Sequence, residues 1–367
     1  MKKPVKNLFA GFDYIIVSLT LICSIFGIII ISSAVRSFDN SLKFILIQSL
    51  SLIIGVFLMV CVASFDYNKL TNSSKIIYSA CFAVLLVVLF IGSGDEIGSK
   101  SWIRFGSFGI QPSEYVKIGM IISLSRIFSK TENINEPKSL LLVIIHILPI
   151  VALILMQPDF GTTMVFIVIV IGMLFVAGIS YKYILSAIGI IGVSLPIIWQ
   201  FLQDYQKNRI LVFFNPESDP LGAGYHVIQS KIAIGSGEIF GKGLYHGTQT
   251  QLDFLPAKHT DFVFAVIGEE LGLIGCIIAI ALLISIVIRC IYISNIAKNS
   301  EGSYICVGIA FMMMGHIFEN IGMCVGLMPV TGIPLPFFSY GGSSLIANFI
   351  AIGLVINVYK QRRRIIY

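Results

Sequence analysis

Long apolar runs recur along this sequence, and they leave few folds open. Ten are long enough to matter: Phe12–Val35, Leu42–Ser64, Lys75–Gly92, Ser113–Ser129, Ser139–Met156, Phe160–Gly178, Tyr181–Phe201, Asp261–Ile291, Ser303–Met328 and Gly341–Tyr359. A helix needs about 20 apolar residues to cross the hydrocarbon layer of a membrane. Charged residues make up only 12% of the chain, against about 25% in a soluble domain, too few to cover a water-facing surface. The expected fold is therefore an all-α polytopic integral membrane protein of about ten transmembrane helices, forming one domain over residues 1–367. The run Asp261–Ile291 exceeds a simple crossing, which predicts a tilt or an extramembrane turn within it.

An even number of spans puts both termini on one side. Basic residues choose the side: the alternate segments beginning with Lys2, Lys3 and Lys6 and ending with Lys360, Arg362, Arg363 and Arg364 hold most of the lysines and arginines. The opposite short loops hold only Arg36, Lys43, Lys100 and Arg104. The termini are thus expected in the cytoplasm, with the terminal basic cluster as a juxtamembrane anchor rather than a nucleic-acid patch. The first run is too long for a cleaved signal peptide and reads as an uncleaved span. The seven cysteines lie in or beside apolar runs without CxxC spacing, which indicates neither a zinc site nor a disulfide framework.

This topology places one long loop, about 202–260, outside the cell. It carries turn signals at Asn215-Pro216 and Asp219-Pro220, helical spacing over Tyr225–Ile234 that suits an interfacial helix, and a glycine-rich stretch from Gly235 to Gly243. Loops of this length usually have a function. The glycines follow no predicted strand, so a dinucleotide site is not indicated, and no P-loop is present.

Several polar residues stand at the edges of the spans. Glu114 and Lys117, three apart after Gln111-Pro112-Ser113, share one helix face; they read equally as a self-neutralising bridge or as a substrate contact. Asp159 follows Pro158 and reads first as a helix N-cap. Asp261 opens the eighth span, where Thr260 is available as a cap instead, and the neighbouring Lys258 and His259 favour an ionised carboxylate. An ionised acid at the membrane surface below a long loop suits a general base. Glu269 and Glu270 are expected to be buried structural groups. His316 and Glu319, with Asn320 beside them, supply too few ligands to indicate a metal.

Four stretches look familiar together: Gln111-Pro112-Ser113-Glu114 with Lys117; Gln157-Pro158-Asp159-Phe160-Gly161-Thr162; GYHVIQSKIAIGSGEIFGKGLYHGTQTQLDFLPAKHTDFVFAVIGEELG from Gly224 to Gly272; and NIGMCVGLMPVTGIPLPFFSYGGSS from Asn320 to Ser344. They resemble the SEDS (shape, elongation, division, sporulation) family over nearly the whole chain. Within it the chain is more similar to the elongation branch than to the division branch, on GKGLYHGTQTQLDFLP, on Lys258 before His259-Thr260-Asp261, and on Ile333-Pro334-Leu335-Pro336. Two departures stand out. Ser101 precedes Trp102 where many members carry arginine, with Lys100 and Arg104 nearby, and Gly237-Glu238 replaces a usual Gly-Gly.

The resemblance implies a peptidoglycan glycosyltransferase that polymerises lipid II at the outer face of the bacterial cytoplasmic membrane, with a class B penicillin-binding protein as partner and Asp261 at the essential aspartate position. Substrate contacts are then expected from Lys117, Glu114, Lys258, His259, Asp159, Trp102, Arg104 and Lys242, with lysines offsetting pyrophosphate charge. No cofactor is assigned; a divalent cation, Mg or Mn, is the alternative for that task. A flippase of lipid-linked precursor, with the intramembrane acids lining its path, or an inactive scaffold for the partner, are the other classes open at this point.

Overall fold

A computed structural model of the chain describes residues 11–93, 101–105, 108–201, 204–220 and 222–362. Lys2, Lys3, Lys6, Lys100, Arg363 and Arg364, part of the expected charge bias, lie outside the described residues. The order is α1 (Tyr14–Ala34), α2 (Ser41–Ser64), α3 (Tyr67–Asn72), α4 (Ser74–Ile91), a hairpin of β1 (Ile103–Phe105) and β2 (Phe108–Ile110), α5 (Pro112–Lys130), α6 (Pro137–Met156), α7 (Phe160–Val176), α8 (Tyr181–Phe201), α9 (Asp204–Phe214), α10 (Ala223–Ser236), α11 (Thr248–Gln251), α12 (Val263–Asn295), α13 (Ser300–Val325) and α14 (Gly342–Lys360). Among the described residues, seven helices are long and apolar enough to cross a membrane: α1, α2, α4, α6, α12, α13 and α14. The apolar stretches of α7 and α8 are shorter. α5, with Glu114, Lys117, Arg126 and Lys130, is more polar.

The bundle is layered around α13 and α14. Their apolar stretches are 78% and 83% buried inside the protein, against 17% for α4 and 22% for α2 and α6. The outer helices therefore keep apolar faces for lipid, while the central pair is solvated by other helices. α2 packs along α14, and α12, α7 and α5 pack against α13. Helix ends follow local chemistry: Pro112 and Pro137 start α5 and α6, and Asp13, Asp159 and Asn299 cap α1, α7 and α13 with their side chains.

The segment expected as one outer loop is partly helical. It contains α9, a 3₁₀ turn at Pro216–Ser218, α10 and α11, and α10 covers the expected Tyr225–Ile234 helix. The extra length of the eighth run resolves into a break in α12 at Gly272, with φ 65° and ψ −162°. The glycine-rich stretch satisfies that break. Lys242 N and Gly243 N donate to Glu269 O and Glu270 O at 3.0 and 2.9 Å, while Leu273 N and Ile274 N donate to Glu238 O and Ile239 O at 2.9 and 3.2 Å. Backbone meets backbone so closely that a Cβ on Gly241 would lie 2.2 Å from Glu270 O. The glycines serve this docking, which accounts for a run that matched no nucleotide pattern.

Candidate active site

Asp261 sits in the turn between α11 and α12, half-buried. Its N–H donates to Ala257 O at 3.1 Å, and its carbonyl accepts Asn320 Nδ2 from α13 at 2.7 Å. The same amide donates to Ile333 O at 2.7 Å. One side chain thus fixes both the backbone of Asp261 and the Thr331–Pro334 strap across from it. Gly332, in that strap, faces the carboxylate: a Cβ there would lie 3.5 Å from Oδ2. Thr260 does not cap α12, contrary to expectation. Its hydroxyl donates to Ala257 O at 3.2 Å, and the N-cap position falls on Phe262, which has no capping side chain.

A buried polar group also contacts the strap. Lys117 donates to Glu114 Oε1 at 2.8 Å and meets His316 Nε2 at 2.6 Å, while His316 Nδ1 is 3.3 Å from Pro334 O. Glu319 Oε2 accepts from Thr331 at 3.4 Å. His316, Glu319 and Asn320 lie on one face of α13 and all three hold the strap. The start of α7 closes the group: a Cβ on Gly161 would sit 2.6 Å from Ile333 and 3.0 Å from Thr331. Asp159 accepts from Thr162 N and Oγ1 at 3.0 and 2.8 Å and from Gln111 Nε2 at 3.2 Å. It is the cap the sequence suggests, and it also ties the start of α7 to the start of α5.

The two other lysines are differently placed. The ammonium of Lys258 donates to Ser37 Oγ at 2.8 Å, to Thr250 O at 2.6 Å and to Asp253. A lysine has three donors, so all are committed to pinning the α11 region onto the α1–α2 turn. Lys258, expected as a phosphate contact, makes this clamp, whereas Lys117 makes two hydrogen bonds and keeps a donor. Lys242 donates to Thr248 and Glu269 at 2.7 and 3.0 Å. Glu269 also accepts from Gln249 N and Thr250 N at 2.8 and 3.0 Å, which makes it the buried structural acid expected. Glu270 accepts from Ser33 Oγ at 2.6 Å. Nothing in the sequence pointed to Ser33, Ser37 or Tyr340 as partners of this face, because each is brought in by helix packing alone.

His259 stands in an aromatic cage with Phe38, Phe44 and Tyr340, ring centroids 5.3 to 5.5 Å away. Burial, reinforced by the Lys258 charge, pushes its imidazole down to about 4, so the ring is neutral near pH 7. Burial pushes the Asp253 carboxyl upward, yet the Lys258 and Ser37 hydrogen bonds outweigh it and hold the group below its ordinary value. Trp102 and Arg104 lie on the hairpin. Trp102 O accepts from Ser93 N at 2.8 Å, and Gln111 N, just past β2, donates to Ser343 Oγ at 3.1 Å. Arg104 is exposed. Among the described residues no group of three or more His, Cys, Asp or Glu is arranged to hold a metal ion.

The family model for cell cycle proteins of the FtsW, RodA and SpoVE type matches residues 13–364. The chain belongs to this family. Escherichia coli peptidoglycan glycosyltransferase MrdB is 38% identical over 310 residues, 84% of each chain. Stage V sporulation protein E of Bacillus subtilis is 39% identical over 359 residues, 96% of this chain and 98% of that one. A chain from a structure titled as coordinating polymerization and crosslinking by a peptidoglycan synthase complex superposes with a TM-score of 0.83 at 28% identity, covering 97% and 99% of the two chains. Thermus thermophilus RodA does so at 0.74 and 26% identity, again with 97% and 99% covered. MrdB and the stage V sporulation protein are thus about equally similar to it in sequence.

Proposed function

We propose that this protein is a peptidoglycan glycosyltransferase that polymerises lipid II at the outer face of a bacterial cytoplasmic membrane during elongation, with both termini inside the cell and a class B penicillin-binding protein as partner. Asp261 is the general base on the acceptor 4-hydroxyl. The observation that carries this reading is the seat of Asp261: its backbone is held from both sides, by Ala257 and by Asn320, while its carboxylate faces a glycine. A base so placed is fixed in position beside a residue that has no side chain. The donor's polyprenyl pyrophosphate is a good leaving group, so no nucleotide is needed. Converting its α-linkage to a β-1,4 bond is one inversion, for which one carboxylate base suffices. Lys117, with a donor in reserve and Glu114 and His316 fixing its stem, offsets charge on the departing pyrophosphate.

Purified protein supplied with lipid II tests the reading. Asp261→Asn should lower glycan polymerisation by about 10²–10⁴ with the melting temperature unchanged. A folded Asp261→Asn variant that polymerises at the wild-type rate would remove Asp261 from the role.

A further inference from the structure

The buried imidazole of His316 stands between a cation and the strap, and its two contacts together decide its chemical form. Nδ1 lies 3.3 Å from Pro334 O, and Nε2 lies 2.6 Å from Lys117 Nζ. A carbonyl oxygen only accepts, so Nδ1 carries the ring proton. An ammonium only donates, so Nε2 is bare and accepts. A doubly protonated ring would instead set an N–H against the ammonium. The surroundings therefore specify a neutral ring in one tautomer, and the bond at one nitrogen fixes what the other does.

Each contact has a separate consequence. The other acceptor of Lys117 is Glu114 Oε1 at 2.8 Å, one turn earlier on α5. With Glu114 alone the ammonium would be tied only to its own helix. His316 ties it to α13 as well, and two bound protons on a tetrahedral nitrogen set the direction of the third. The second contact reaches the strap. Asn320, one turn along α13, holds Ile333 O, and His316 holds the next carbonyl, Pro334 O. Gly332, just before them, faces the Asp261 carboxylate. An unbroken line of contacts thus runs from the ammonium through one ring to the strap that faces the base. We propose that His316 is a positioning residue: as the Nδ1–H tautomer it aims the remaining N–H of Lys117 and fixes that ammonium relative to the strap at Asp261. This deepens the glycosyltransferase reading and rests on it. Base and pyrophosphate-facing cation are kept in register, where a shift of about 1 Å costs on the order of 10² in rate.

The test joins histidine NMR to lipid II polymerisation, both on the whole protein in phosphatidylcholine nanodiscs. Of the five histidines, the signal lost in His316→Asn should report a neutral ring protonated at Nδ1. Its bare nitrogen should shift when Lys117 is removed in Glu114→Gln, Lys117→Met, a pair that leaves no unpaired buried acid. A charged ring, a proton on Nε2 or an unmoved signal would overturn the proposal. His316→Asn keeps an N–H for Pro334 O but offers Lys117 no acceptor. It should lower turnover per folded molecule by about 10², and by about two-fold or less in the lysine-free background. His316→Gln, whose longer amide brings an oxygen toward the ammonium, should lose less than His316→Asn. Equal losses from His316→Asn in both backgrounds would make the ring ordinary packing and sink the idea, as would undiminished turnover. If the wild-type ring shows the Nδ1–H tautomer and its coupling to Lys117 yet no glycan forms, the seat of Lys117 stands and the glycosyltransferase reading fails.

Discussion

The two ends of the bundle satisfy their buried polar groups to different degrees. At the end away from Asp261, buried acids are matched. Asp13 receives Arg289 at 2.7 and 2.8 Å as well as two backbone N–H groups, and Glu301 receives Arg126, Thr71 and Ser129. Asn299 is bonded to Tyr67, Asn68 and Gly302 N. At the Asp261 end, the buried atoms Ser113 Oγ, Gln249 Oε1, His259 Nδ1, Glu270 Oε2, Glu319 Oε1 and Asn320 Oδ1 have no partner among the described residues. Buried polar groups are normally satisfied, and departures from that rule gather where a protein meets a polar substrate. One end is arranged to hold helices together, and the other keeps polar capacity in reserve.

The largest expected effect comes from breaking the matched end. Arg289→Met leaves the buried Asp13 without its cation and should destabilise the protein by about 3–5 kcal/mol, read as a lower melting temperature, with unchanged turnover per folded molecule. If melting does not move, the matched end is not a structural device and the contrast fails. Glu319→Leu probes the opposite end and should act with the opposite sign. It removes an acid with one unpartnered oxygen and only a 3.4 Å bond to Thr331. Stability should rise by about 1–3 kcal/mol while polymerisation falls as the strap beside Asp261 loosens. A variant both less stable and fully active would show that Glu319 is ordinary packing.

Much of this was legible before the fold was known, for a physical reason. Lipid demands long apolar runs, and these mark the helices. The helix–dipole logic that located Asp159 as a cap and the i, i+3 spacing of Glu114 and Lys117 are local, so sequence contains them. The clamp made by Lys258 was not legible, because its partners, Ser37 and the Thr250 carbonyl, arrive from other turns. Asn320 was noticed only as a neighbour of possible metal ligands, since nothing local says that its amide reaches Asp261. Residue chemistry singled out Asp261 as a candidate base, the resemblance put it at the family's essential aspartate position, and packing explains how its backbone is held.

The pH response sharpens the same contrast on a smaller scale. The His259 imidazole titrates near 4 when folded and near 6.5 when unfolded, so between those values the unfolded chain binds more protons. Its contribution to stability is complete above about 6.5 and is lost as pH falls toward 4. Asp253, held low, contributes above its unfolded value and loses that contribution only at more acid pH. Protection factors of amides 250–262, taken relative to their intrinsic exchange rates, should therefore fall between pH 7 and 5, and His259→Phe should flatten that dependence. An unchanged profile in His259→Phe would remove the cage as its source.

The smallest effect concerns the docking of the glycine-rich stretch on the break in α12. Glu238 stands at φ +50°, a left-handed conformation that disfavours side chains with a Cβ by about 1–2 kcal/mol, at the position where the resemblance led one to expect a second glycine. Its carbonyl accepts Leu273 N at 2.9 Å and so helps satisfy the broken helix, which is why the conformation is kept despite the residue. Glu238→Gly removes the strain but also enlarges the unfolded ensemble, which offsets part of the gain. The net result should be a stabilisation below about 1 kcal/mol with polymerisation unchanged, measured by thermal unfolding in nanodiscs. A clear loss of stability would mean that the Glu238 side chain, and not only its carbonyl, belongs to the seat on which the glycine-rich stretch and Asp261 are mounted.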